Sequence, residues 1–186
     1  MKMSATFQGS SFLSGRHAGE ARYFPYPGEP QASSVFPPFN PVDAPYGLFD
    51  LENMDSHGGW VSSALDLLAF INGVFEGGYL SPSSIAEISA NSISSGPAGA
   101  SWGLGWGLAP AKSGFNFWHN GVLNGTTSYV VRTTWSDGSD VAWAAVMMRD
   151  GGRILGSAAA GRPSASLFGK QQHVAYLDAN GLIQDA

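Results

Sequence analysis

The chain contains no cysteine, which excludes disulfides and thiolate zinc sites and leaves the redox compartment open. Charge is also scarce. Asp, Glu, Lys and Arg make up 12% of the 186 residues, about half the usual ~25%. The nine Lys and Arg form no cluster and are outnumbered by 14 Asp and Glu, so phosphate-mediated nucleic-acid binding is excluded. No apolar run reaches the ~18 residues of a membrane span. Met1 to Gly15 is Ser-rich and lacks the apolar core of a signal peptide, so a cytoplasmic location is the default expectation. No G-x-S-x-G occurs, and the scattered carboxylates nominate no glycosidase pair. The four histidines, His17, His57, His119 and His173, fall at no metal-ligand spacing; neither a metal nor a cofactor is expected.

What is present reads as one α+β domain long enough to bury a core. Apolar residues make up 44% of the chain, and 25 Gly with 11 Pro imply abundant turns. Tyr23-Phe24-Pro25-Tyr26-Pro27 and Phe36-Pro37-Pro38-Phe39-Asn40-Pro41 cannot form helix, because each proline removes an N–H and biases its predecessor toward extended backbone. Their aromatic density predicts an ordered loop laid over a core, not a disordered arm. At Ser63-Ala64-Leu65-Asp66 an S-x-x-D capping signal opens a helix. Leu65, Leu68, Ile71, Asn72 and Phe75 follow at helical spacing, widened by Leu67, Phe70 and Val74. Gly77-Gly78 ends that helix, and Ser81-Pro82 opens a second one with Ile85 and Ile88 facing inward.

From Ser101 the period changes to that of strands. Trp102 to Leu108 alternates bulky residues with glycine and reads as one strand. Phe115 to Asn120 and Thr126 to Thr133 follow. Ser136-Asp137-Gly138 is a hairpin turn, and Val141 to Met148, apolar on both faces, is expected to be a central strand. Residues 1–150 thus form the domain, with loops and helices in 1–100 and three to four antiparallel strands in 101–150. Residues 151–186 form a tail in which Val174, Tyr176 and Leu177 are the only docking candidates.

Trp118-His119-Asn120-Gly121, followed by Asn124-Gly125 and Ser128, is the most informative segment. It reads as a strand, a tight turn and a second strand, with His119 projecting near the end of the first. Gly121 lets another backbone or a substrate approach the strand edge. Local features leave two readings open: the wall of an active site, or a half-buried histidine ahead of an ordinary Asn-Gly hairpin. His57, before a Gly-Gly turn, reads as a structural hydrogen-bonding residue, and His17 and His173 as solvated.

Five segments in order resemble the β-lactamase-like serine hydrolases, which include class C β-lactamases, D-Ala-D-Ala peptidases and related esterases. Met3-Ser4-Ala5-Thr6 resembles "GM-x-x-T". Gly58-Gly59-Trp60-Val61-Ser62-Ser63-Ala64-Leu65-Asp66-Leu67 with Phe70 resembles "GG-x-x-S-T-x-x-D-L-x-x-F". Tyr79-Leu80-Ser81-Pro82 resembles "x-L-S-P", and Gly103-Leu104-Gly105-Trp106 resembles "G-x-G-W". His119-Asn120-Gly121 with Gly125 and Ser128 resembles "H-x-G-x-x-x-G-x-x-S", the third catalytic motif.

The resemblance implies a partial β-lactamase-like fold and a hydrolase of esters, lactones or amides. A serine in S-x-x-K attacks the carbonyl, activated by that lysine and the tyrosine of Y-x-N. The third-motif strand lies beside the acyl group, where the N–H of Val122 would donate to the oxyanion, a contribution of ~3 kcal/mol. His119 would stand in for the lysine of "K-T-G", with Trp118, Asn120, Gly121 and Ser128 as substrate-binding residues. Neither S-x-x-K nor Y-x-N occurs in this sequence. In the family both precede the matched segments, so the resemblance implies a C-terminal half whose full activity is doubtful. Ser56, Ser128 and His119 are the nearest candidates for an unconventional attack. The alternatives are a non-catalytic remnant that binds ligand in the old cleft, or an interaction module. Loss of the family's first strands would leave Val141–Met148 with an open apolar edge, predicting a homo-oligomer or a completing partner chain.

Overall fold

The computed structural model describes residues 2–25, 27–90, 92–94, 100–111, 113–148, 175–177 and 183–185. The N-terminal third is loop with short pairings. Strand β1 (Phe7–Gln8) is followed by a hairpin of β2 (Ala32–Ser33) and β3 (Pro41–Val42), then the single-turn helix α1 (Leu51–Met54). Next, β4 (Trp60–Val61) pairs antiparallel with β1. The aromatics of this third are only partly covered: Phe24 is 47% and Phe39 57% exposed. Phe12 packs on Phe36 with ring centroids 4.7 Å apart, and the Tyr23 N–H donates to the Tyr46 hydroxyl at 2.9 Å.

Helix α2 (Ala64–Phe75) begins where the sequence places it, with the Asp66 N–H donating to the Ser63 hydroxyl at 3.1 Å. The Asp66 carboxylate does not complete a capping box. It is buried and accepts from the Ala5 N–H at 2.7 Å and the Thr6 hydroxyl at 2.8 Å. Two segments some 60 residues apart are thereby tied together. The helix buries Leu68 and Ile71 and packs Ala64, Leu67, Val74 and Phe75 against them. Leu65 and Phe70 depart from the predicted stripe, 56% and 38% exposed. The glycine pair does end the helix, with Gly78 in the left-handed region at φ 73°. Helix α3 (Pro82–Ala90) starts at Ser81, whose hydroxyl accepts from the Ser84 N–H at 3.1 Å. Ile88 is buried and Ile85 is half-buried.

The remaining described elements are mainly sheet. Strands β5 (Ile93–Ser94), β6 (Ser101–Trp102), β7 (Gly107–Ala111), β8 (Gly114–Leu123), β9 (Thr126–Trp135) and β10 (Asp140–Met147) form an antiparallel sheet in the order β10-β9-β8-β7-β6-β5. The sheet therefore has six strands where three to four were expected. The run read as one strand over Trp102 to Leu108 is two, because Gly103–Trp106 turns back on itself. Gly105 there has φ 74° and the Gly103 N–H donates to the Trp106 carbonyl at 2.8 Å. A side chain at 103 would drive into the Ile88 carbonyl at the end of α3.

The second correction concerns β10, which is outermost among these six strands rather than central. Its apolar residues pack toward the core on one face and line an open concavity on the other, a pattern that does not require neighbours on both sides. Ala144 faces the core under α2, whereas Trp143 joins Trp118, Tyr129 and Val131 on the opposite face. Those four, with Asn116 and Thr133, line a shallow concavity of about 290 Å³. The core between helices and sheet is Leu68, Ile71, Ile88, Trp106, Leu108, Val130 and Ala144. Buried Arg132 on β9 fastens α2 to the sheet by pairing with Glu76 and Asp140. The predicted hairpin turn at Ser136-Asp137-Gly138 joins β9 to β10, with Gly138 at φ 83°. Strands β11 (Ala175–Leu177) and β12 (Ile183–Asp185) pair with each other; Val174 and the rest of the expected tail lie outside the described residues.

Candidate active site

Strand β8 runs straight through the third motif. His119, Asn120 and Gly121 are paired with Val130, Tyr129 and Ser128 of β9, and the chain turns only at Asn124-Gly125. The motif is therefore strand interior, not a turn. Alternation along a strand sends successive side chains to opposite faces, which divides the predicted site residues. His119, Gly121 and Ser128 share the face that carries Phe117 and Val130, the helix side. Trp118, Asn120 and Val122 share the other face, with Tyr129. Gly121 and Ser128 sit directly opposite each other, and a Cβ at 121 would lie 2.8 Å from the Ser128 hydroxyl oxygen. Glycine keeps that gap open.

The backbone of β8 has its own directionality. In a hairpin closed by a two-residue loop the flanking pair, here Leu123 and Thr126, is the hydrogen-bonded one. Counting back, His119 and Gly121 aim their N–H and C=O groups at β9, while Asn120 and Val122 aim theirs the other way. On that other side β7 begins at Gly107, opposite Trp118. Beyond it the edge from His119 to Leu123 has no neighbouring strand among the described residues. His119 is exposed along this edge and Val122 is 48% exposed. An N–H at an exposed strand edge is a preformed donor for a carbonyl oxygen or an oxyanion.

The end of the edge is framed by aromatics. Trp102 of β6 lies across Gly107 from Trp118, their ring centroids 5.0 Å apart. Gly107 makes this possible, since a Cβ there would fall 2.3 Å from the Trp118 indole. The Trp102 ring also meets the His119 imidazole edge-on at 5.7 Å. Sequence reasoning finds in Trp102 only one bulky member of an alternating strand and misses its place at this edge. The signal that could have found it is Gly107, a bare position that the register sets opposite a tryptophan.

The far end of β8 is clasped by the N-terminal loop. The Asn124 amide donates to the Glu29 carboxylate at 2.5 Å. Gly125 has φ 85°, and a side chain there would collide with Pro45 and the Phe24 carbonyl. Nearby Tyr23 is held protonated: burial first, then the adjacent Glu20 carboxylate, pushes its phenol well above the ordinary value. It is thus unsuited to act as a general base near neutral pH. Ser56 is exposed in the turn after α1. His57 is exposed, and its backbone N–H donates to the Met54 carbonyl at 2.8 Å. His17 is exposed, with its ring 4.0 Å from that of Phe7; His173 lies outside the described residues. Among the described residues no group of three His, Asp or Glu side chains converges to hold a metal, and no helix is long and apolar enough to cross a membrane.

Among solved structures, the D-amino acid amidase from Ochrobactrum anthropi SV3, complexed with L-phenylalanine amide, aligns with a TM-score of 0.49 at 20% identity. The alignment covers 79% of this chain and 39% of that one, so the chain spans well under half the length of that enzyme. No curated protein matches. The family model described as Beta-lactamase matches residues 13–162, which takes in helices α2 and α3, the whole of the six-stranded sheet and the β8 edge, and the chain belongs to that family.

Proposed function

We propose that the β8 edge from His119 to Leu123 is the substrate-side wall of a serine-hydrolase site for esters, lactones or amides. Val122 supplies a backbone N–H to the carbonyl oxygen as negative charge develops on it. Asn120 offers its backbone to the substrate one step along, Gly121 and Ser128 keep the helix-side approach open, and His119 donates to substrate at the exposed rim. Trp118, on the other face, packs against Trp102. The observation that carries this reading is the start of β7 at Gly107, which leaves the backbone of Asn120 and Val122 facing outward. A positioned N–H is worth ~3 kcal/mol to an acyl-transfer barrier, but only when a nucleophile is present.

Because neither S-x-x-K nor Y-x-N occurs in the sequence, we assign this chain the binding half of the chemistry. The test is covalent labelling with a fluorophosphonate, together with a chromogenic short-chain ester, on wild type and His119→Ala. The expected result is no labelling and turnover at the blank rate in both. Labelling of Ser56 or Ser128, lost in His119→Ala, would overturn the assignment and make the chain an enzyme by an unconventional route.

A second reading, as an interaction module, is favoured by the outermost place of β10 in the six-stranded sheet. β11 of the same chain lies close to β10, so a second copy or a completing partner would extend the sheet only along the part of β10 that β11 leaves open. Light scattering at micromolar concentration tests it: a clean monomer argues against self-pairing.

A further inference from the structure

We infer that Trp102 sets the substrate class of the β8 edge, selecting carbonyl compounds whose acyl chain carries an aromatic ring. The inference rests on the reading of that edge as the substrate wall. Three observations converge on it. Trp102 is 37% exposed although its ring contacts Trp118 at 5.0 Å and His119 at 5.7 Å, so the residue is not fully buried by these contacts. It touches one residue from each face of β8, which places it at the end of the sheet rather than over either face. Its position is fixed: Gly103 is pinned against the Ile88 carbonyl, the Leu104 N–H donates to that same carbonyl at 3.2 Å, and Gly107 leaves room for Trp118 to brace the ring.

The spacing suits a short tether. From Val122 to His119, whose ring adjoins Trp102, is three residues, about 10 Å at ~3.3 Å per residue. A carbonyl held on the Val122 N–H therefore brings a phenyl group two methylenes away up to the indole, while a plain alkanoyl group stops short. Stacking against an exposed indole favours the aryl ligand by roughly tenfold in affinity. His119, edge-on to Trp102, adds a second aromatic surface beside the indole.

Isothermal titration with 3-phenylpropionamide and propionamide, an identical carbonyl with and without the ring, tests the inference on the full chain. Wild type should bind the aryl amide roughly tenfold more tightly. Trp102→Ala should remove the difference and leave propionamide within about twofold, whereas Trp102→Phe should retain most of it. Val122→Pro deletes the edge N–H at a position whose donor does not serve the β9 ladder, and should weaken both amides alike. Equal binding of the two amides by wild type overturns the aryl selectivity, as does loss of both amides together in a folded Trp102→Ala. Unchanged binding in Val122→Pro overturns instead the wall reading beneath it. Should Trp102→Ala fail to fold, transferred nuclear Overhauser effects in wild type decide: contact between phenyl protons and the Trp102 indole is expected, and its absence refutes the inference.

Discussion

Asp66 is the most informative single position for the architecture, because its buried carboxylate joins two segments that the sequence presents as separate motifs. It accepts from the Ala5 N–H at 2.7 Å and the Thr6 hydroxyl at 2.8 Å, and it is 6% exposed. Hydrogen bonds to a charged acceptor contribute about 1.5–3 kcal/mol each. Asp66→Ala should therefore cost about 3–5 kcal/mol, and Thr6→Val, which removes one donor and keeps the shape, about 1.5 kcal/mol. The two residues touch, so the double variant should lose less than the sum, with a coupling of at least ~1 kcal/mol. Urea unfolding followed by tryptophan fluorescence reads this as a lower midpoint at constant slope. Strict additivity, or a loss below ~0.5 kcal/mol for Asp66→Ala, would refute the tether.

Other consequences are equally direct. Arg132→Met should destabilise by about 2 kcal/mol, less than the ~3–5 for a fully buried pair, since the freed Glu76 and Asp140 carboxylates reach water; chemical unfolding measures it. Gly125→Ala places a Cβ at φ 85° against Pro45 and the Phe24 carbonyl, so it should cost about 1–3 kcal/mol and expose the N-terminal loop to proteolysis. Glu52 gives a pH effect: slight burial opposes its charge, but the Ser11 hydroxyl and N–H outweigh this and hold its pKa below the ordinary 4.5. A lowered carboxylate stabilises the fold fully above the ordinary value and loses that contribution as pH falls through the folded value. Glu52→Gln should accordingly flatten the acid limb of the thermal-midpoint profile. Gly107→Ala should push the Trp118 indole away from Trp102 and abolish the exciton coupling of the two indoles in far-ultraviolet circular dichroism.

The elements legible in the sequence are those with local causes. Ser63 and Ser81 cap their helices through their own hydroxyls, Gly78 takes the left-handed turn, and Gly138 closes the β9–β10 hairpin. Period alone cannot divide Trp102 to Leu108 into two strands, because the turn depends on Gly103 meeting the Ile88 carbonyl, a contact made in three dimensions. Nor can composition tell a strand that is apolar on both faces from one with neighbours on both sides, which is why β10 reads as central and lies outermost of the six. The third motif is legible only through resemblance. Local features make His119-Asn120-Gly121 look like the approach to a turn, whereas the register runs the strand on to Leu123. Trp102 carries no mark of its own; its importance comes from lying across Gly107 from Trp118.

The central claim is that the backbone N–H of Val122 faces an open edge and receives a carbonyl oxygen. Titration of uniformly ¹⁵N-labelled chain with propionamide, followed at each backbone amide, tests it most directly. A saturable shift, largest at Val122 and accompanied by smaller ones at Asn120 and His119, is expected. A Val122 amide that stays fixed while shifts gather elsewhere, or no saturable shift at any residue of β8, would contradict it.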